Sequence, residues 1–208
     1  MTLFNKIRTL RQKFALLALL FLAGCSVVGD SQPTQFYVMS EADSAFLASK
    51  RVQLSPQLRL GVGPISIPGY ANRAQIVTIG RGAQLKVSDL DHWAEPIQDN
   101  IERILVGNLS ALISPQQVYP YPVDFHPGSS SLQMTVEIRD IIQTETGMIR
   151  LTASWNIKRM QDNELLLRQT KAYQMQQKPD DYATLASSLS ALFGYLAVDM
   201  THSVAQFQ

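Results

Sequence analysis

Leu132-Gln133-Met134-Thr135-Val136-Glu137-Ile138-Arg139 alternates apolar and polar side chains, and Ile149-Arg150-Leu151-Thr152-Ala153-Ser154-Trp155-Asn156-Ile157-Lys158 repeats the pattern after a glycine turn at Gly147. A period of two sends successive side chains to opposite faces of a strand, so each segment reads as a strand with one greasy face and one wet face. Gln161-Asp162-Asn163-Glu164 turns the chain again before a third strand over 165–176. The three strands form an antiparallel meander. Trp155 shares the parity of Ile149, Leu151, Ala153 and Ile157, which assigns it to the core. The greasy face needs a cover.

Two helices are available to provide it. Over 180–207, Tyr182, Leu185, Leu189, Leu192, Phe193, Leu196, Met200 and Val204 make a stripe at helical spacing, with Asp180 and Asp181 as its N-terminal acids. Gly194 interrupts this stripe at a cost of about 1 kcal/mol against alanine, which points to close packing there. Over 93–113, Ile97, Ile101, Ile104, Leu105, Leu109 and Leu112 form a second stripe, with Gln98, Asp99, Glu102 and Arg103 on the other face and Pro96 in the first turn. Whether both helices share one face of the sheet is left open by the pattern.

Upstream, 58–67 (LRLGVGPISI) reads as a strand interrupted near Gly63-Pro64, hence a bulge or an edge strand. Gln75–Ile79 and 84–87 read as a hairpin around Gly80-Arg81-Gly82, and 36–39 as a short β-prone run. The segment 41–55 holds either a loop or a short helix around Ala45, Phe46 and Leu47; the proline-rich 118–123 is irregular or an edge. Strands, helix, strands, helix give an α/β fold: a single-domain sandwich of a mixed, largely antiparallel sheet with two main helices.

Composition excludes several function classes. Cys25 is the only cysteine, so no disulfide forms within the chain and stability rests on a hydrophobic core, for which 46% hydrophobic residues suffice. Residues 1–24 carry four basic residues and no acid, so their removal leaves 14 basic against 17 acidic residues. Such a body has no electrostatic footprint for nucleic acid. His92, His126 and His202 are isolated, no Gly-x-Ser-x-Gly elbow exists, and Gly61-x-Gly63 lacks the third glycine and helix start of a dinucleotide loop. No enzyme and no metal are expected.

The first residues are a targeting signal. Lys6, Arg8, Arg11 and Lys13 precede an apolar run over 14–23, too short for the roughly 20 residues of a spanning helix. Leu22-Ala23-Gly24-Cys25 then resembles the bacterial lipobox. That resemblance implies cleavage before Cys25, with no cofactor beyond covalent diacylglyceryl and N-acyl chains, of the palmitate class, on that residue. The expected domains are therefore 1–24, a removed lipoprotein signal peptide; 25–35, the acylated cysteine and a flexible tether; and 36–208, the body. Ser26 stands where aspartate retains enterobacterial-type lipoproteins in the inner membrane, which implies transfer to the periplasmic face of the outer membrane.

Within the body, Gly63-Pro64-Ile65-x-Ile67-Pro68-x-Tyr70, Arg73-x-Gln75-Ile76-Val77, Trp93-Ala94-Glu95-Pro96-Ile97 and Leu105-x-x-Asn108-Leu109 resemble the ABC-type transport auxiliary lipoproteins, the PqiC- or YmbA-like family. Gly69 and Ala71 stand where that family carries an acidic residue and a leucine. The resemblance implies a non-catalytic subunit of an MCE-type lipid transport system, serving intermembrane lipid traffic and membrane integrity. Its implied partners are a periplasmic MCE protein and inner-membrane transporter components; a homo-oligomer is also compatible. A lipid or small-ligand carrier with a cavity under the last helix is the alternative. Tyr70, Arg73 and Trp93 are the candidate partner surface, expected together at one edge because a turn and a helix start present side chains. The competing expectation is that Tyr70 and Trp93 plug the end of the core. Trp93 is expected to be only partly buried.

Overall fold

The computed structural model describes residues 11, 13, 32–125, 127–128, 130–179 and 181–207. Expectations for the signal peptide, Cys25, Ser26, His126 and Asp180 fall on residues outside these. Thr34–Gln208 pack as one compact unit. Its strands are β1 (Gln35–Tyr37), β2 (Arg59–Ser66), β3 (Gln75–Ile79), β4 (Leu85–Trp93), β5 (Val118–Pro120), β6 (Ser131–Gln143), β7 (Met148–Arg159) and β8 (Leu165–Gln176). Its helices are α1 (Ser44–Ser49), α2 (Ile97–Leu112) and α3 (Tyr182–Val204), the last followed by a 3-10 turn, Ala205–Phe207.

The meander is present as β6-β7-β8, antiparallel throughout. It is extended to five strands in the order β5-β2-β6-β7-β8, with β2 parallel to both its neighbours. The interruption at Gly63-Pro64 is a register shift between Val62 and Ile65, and β2 is an interior strand rather than an edge. Gly63 has φ of 133°, and a Cβ there would lie 2.3 Å from the Tyr121 carbonyl oxygen, so only glycine lets the two segments meet. β5 and β6 occupy both sides of β2, and the β3-β4 hairpin pairs outside that sheet. It forms a second sheet in the order β1-β4-β3, linked to the first by the parallel bridge Ile79–Thr144. The α/β single-domain fold with two main helices expected from the sequence is thus present, its mixed, largely antiparallel strands divided between two sheets.

Both long helices cover the same face of the five-stranded sheet. They pack on each other, α2 against β2 and β5, α3 against β7 and β8. The stripes named above are buried: Ile101, Ile104, Leu105, Leu109 and Leu112 on α2, and Leu189, Phe193, Leu196 and Met200 on α3. Trp155 is fully buried at the centre, its indole N–H donating to Ser203 Oγ at 3.1 Å. Tyr182–Phe207 is apolar and long enough to cross a membrane by composition, yet most of it is buried in the body, the mark of a core helix.

The segment 39–49 crosses the outer groove between α2 and α3, and it contains the helix α1 that the sequence left open. Asn100 of α2 clamps Met39 from both sides, accepting from its N–H and donating to its carbonyl at 2.9 Å each. Asn108 accepts from the Ala42 N–H at 3.0 Å, and Ser190 of α3 accepts from the Ser40 N–H at 3.0 Å. Gly194 makes room for this crossing, since a Cβ on it would lie 2.5 Å from that of Ala42. Asp43 and Asp181 cap α1 and α3 by accepting from the N–H groups of Phe46 and Thr184.

Trp155→Ala removes the largest buried side chain and orphans the Ser203 contact. A loss of about 3–5 kcal/mol is expected in urea unfolding; a loss below about 1 kcal/mol would mean that the core does not close on this residue.

Candidate functional site

The loop 67–74 and the start of α2 lie at the end of β4. Pro68 turns the loop, its carbonyl accepting from the N–H groups of Ala71 and Asn72 at 2.9 and 3.1 Å. Trp93 is the last residue of β4, not part of a helical turn, and α2 starts at Ile97 with Pro96 as N-cap. β4 holds the indole on the inward face, beside Ala71, Ile97, Ile141 and Leu185. Trp93 is therefore 7% exposed, and the expectation that it is only partly buried is corrected: the strand, paired with Tyr37 of β1, directs it into the core.

Arg73 and Trp93 share a cleft of about 420 Å³ lined also by Asn72, Ala74, Glu95 and Pro96. Arg73 is exposed at its rim, and Glu95 pairs with Arg103 at 2.5 Å. Tyr70 lies outside this lining. Its hydroxyl donates to Asp140 Oδ1 at 2.8 Å and accepts from the Ile141 N–H at 3.1 Å, while Arg150 Nε donates to the other oxygen of Asp140. Asp140 flanks a register shift between Ile138 and Asp140, so Tyr70 buckles the loop onto an irregular stretch of β6. Partial burial, together with the bond to Asp140, pushes the Tyr70 hydroxyl up to about 12.

The cleft joins a recessed aromatic wall to a cation and a carboxylate, a composition suited to gripping a partner's side chain. Among the described residues no cluster of three His, Cys, Asp or Glu is placed to hold a metal ion. Sequence reasoning missed Asn100 and Asn108, which position the chain after β1. Both are amides on the buried stripe of α2, and a polar residue at a core position was the available signal.

Tyr70 gives a pH signature. Its folded pKa is raised, so its contribution to stability is complete below the ordinary tyrosine value of 10.0 and is lost as pH rises toward about 12. Burial and Asp199 raise Tyr173 in the same direction. Melting temperature should therefore fall between pH 10 and 12 in the wild type and fall less in Tyr70→Phe, which starts lower at pH 8. Parallel curves would show that Tyr70 is not linked to folding.

The comparisons with known proteins agree with this architecture. A crystal structure of an uncharacterized protein superposes with a TM-score of 0.63 at 16% identity, covering 83% of this chain and 99% of that one. A Xanthomonas campestris protein of the DUF330 family does so with a TM-score of 0.63 at 14% identity, covering 83% and 96%. At such identities the likeness shows the fold. No curated protein matches the chain in sequence. The family model described as "ABC-type transport auxiliary lipoprotein component" matches residues 38–201, a span from the end of β1 nearly to the end of α3, and the chain belongs to that family.

Proposed function

We propose that this chain is an outer-membrane-anchored docking subunit of an MCE-type, ABC-driven lipid transport system, acylated at Cys25 and without a catalytic role. The observation that carries the reading is Leu22-Ala23-Gly24-Cys25-Ser26 behind a basic and then apolar leader, in a chain whose family is named for lipoproteins auxiliary to transport. Each buried CH₂ of an acyl chain contributes about 0.8 kcal/mol, so two or three chains hold the body where a single one would let go. Ser26 in place of aspartate favours the outer membrane over the inner.

The interior supports docking over carriage. A carrier with its cavity under the last helix needs room there for an acyl chain, whereas among the described residues the apolar gap beside Leu185 and Leu189 holds about 20 Å³, room for a single water. Trp155 and Phe193, both fully buried, fill the space beneath α3. The cleft of Arg73 and Trp93 is the place we assign to the transporter partner. Confinement at a membrane raises effective concentration, so a modest affinity at that cleft suffices.

Two experiments test the reading. Wild-type protein should fractionate with the outer membrane, Cys25→Ser should stay unacylated, and Ser26→Asp should move an acylated protein to the inner membrane. Wild type in the inner membrane, or full transport by the soluble Cys25→Ser form, overturns the anchored role. Arg73→Glu should leave stability within about 0.5 kcal/mol while raising detergent sensitivity of the cells to that of a deletion strain; wild-type resistance would exclude the cleft as the contact.

A further inference from the structure

The three-stranded sheet has one face turned into the core and one turned out, and the strand register decides which residues lie on each. Phe36 and Gln75 both pair with His92, so the three share a face. Along β3 that face continues through Val77 and Ile79, whose partners on β4 are Val87 and Leu85. Ile76 and Thr78 alternate with them and are buried. The outward face therefore sets exposed apolar side chains beside Gln75 and His92, with Phe36 65%, Leu85 42% and Val87 38% exposed. Val38, 51% exposed between the inward Tyr37 and Met39, prolongs it.

The five-stranded sheet shows what this fold does with a face left to water. Its helix-free side carries Thr135, Glu137, Thr152, Asn156, Lys158 and Arg168. An open antiparallel face is ordinarily polar in this way. The small sheet breaks that rule on neighbouring strands, which makes a patch rather than a scatter of single exposed residues.

The position of the patch in the chain identifies its occupant. Phe36 lies eleven residues after Cys25, a contour of at most about 40 Å, so β1 is the first strand of the body that follows the anchor. β1 runs parallel to β4, so the chain enters Gln35 from the side of the β3-β4 turn. That turn carries exposed Arg81, a cation suited to a phosphate head group. The Arg73 and Trp93 cleft lies at the opposite end of β4.

We propose that the outward face of the three-stranded sheet rests on the bilayer that holds the acyl anchor, with Phe36, Leu85 and Val87 seated at the boundary of head groups and acyl chains. The inference rests on the acylation reading above. Anchoring supplies the effective concentration at which a few exposed apolar side chains suffice for contact. Acylation at Cys25 alone does not set the orientation of the body; this contact sets it and leaves the cleft at the far end of β4 open to the periplasm.

The test uses full-length acylated protein in vesicles of phosphatidylethanolamine and phosphatidylglycerol. Acylation consumes the Cys25 thiol, so Val87→Cys and, separately, Phe36→Cys each carry one free thiol for an NBD fluorophore, and Glu137→Cys labels the polar face of the large sheet as control. Lipid spin-labelled near the top of the acyl chain should cut emission about twofold at 87 and 36 and leave 137 unchanged. Floating protein with no quenching at 87 and 36, or equal quenching at all three, overturns the face contact while the anchor reading stands. Protein that fails to float overturns both. Shielding of 87 and 36 from aqueous iodide without quenching by the spin-labelled lipid assigns the face to a protein surface, a second copy included, and also overturns the proposal.

Discussion

The apolar face of β6-β7-β8 has to be hidden from water, and the rest of the body is arranged to hide it. α3 lies over β7 and β8, but a single helix cannot cover five strands, so α2 takes the region of β2 and β5. Placing two helices side by side leaves a groove along their outer surface. The segment 39–49 fills it, held by amide side chains from one helix and a hydroxyl from the other. These bonds satisfy backbone groups that neither sheet can reach. Asn100 is the most committed of them: it is buried, it uses both ends of its amide on one residue, and truncating it would strand the N–H of Met39 and leave the carbonyl only the longer 3.5 Å contact from Arg103.

The meander, the two helices and the burial of Trp155 were legible because period-two and helical patterns over ten or more residues leave little freedom. Of the four register shifts among the described residues, those at Gly63-Pro64 and around Arg139 fall where the pattern weakens, and only the first of these has a composition that announces it; the other two, between Gln75 and Val77 and between Ile157 and Lys158, fall within or at the end of regular alternation. Strand order was not legible. That β2 runs parallel between β5 and β6 depends on long-range pairing, for which hydrophobic alternation gives no partner or direction. The hairpin is legible, but its return strand runs to Trp93 rather than stopping at Val87: Ser88, Asp89 and Asp91 break the apolar alternation, and paired strands tolerate polar residues wherever one face is open.

At the candidate site the sequence brings forward the right loop and strand, and of its two expectations for Tyr70 and Trp93 the packing against the core is the one the structure matches. Arg73 and Trp93 do meet in one cleft. Trp93 was judged from its closeness to a helix start, and the strand it ends sends it inward instead. Tyr70 sits in an open turn by composition, yet its hydroxyl is claimed by an aspartate in a strand seventy residues on. Such a bond has no local signature. Asn100 and Asn108 have one, as amides within an apolar helical stripe, but that signal names no partner.

The parallel pairing of β1 with β4 also sets how the body bears load. A pull on the chain ahead of Gln35 acts along the strand, so the bonds at residues 35–37 share it as shear rather than opening one after another. Behind them the force reaches Met39, where the Asn100 amide grips the backbone from both sides, then Ala42 at Asn108 and the capped first turn of α1. Tension on this end of the chain is thus spread into α2 and α3 through successive side-chain fasteners. The body thereby resists being peeled from its N-terminal end.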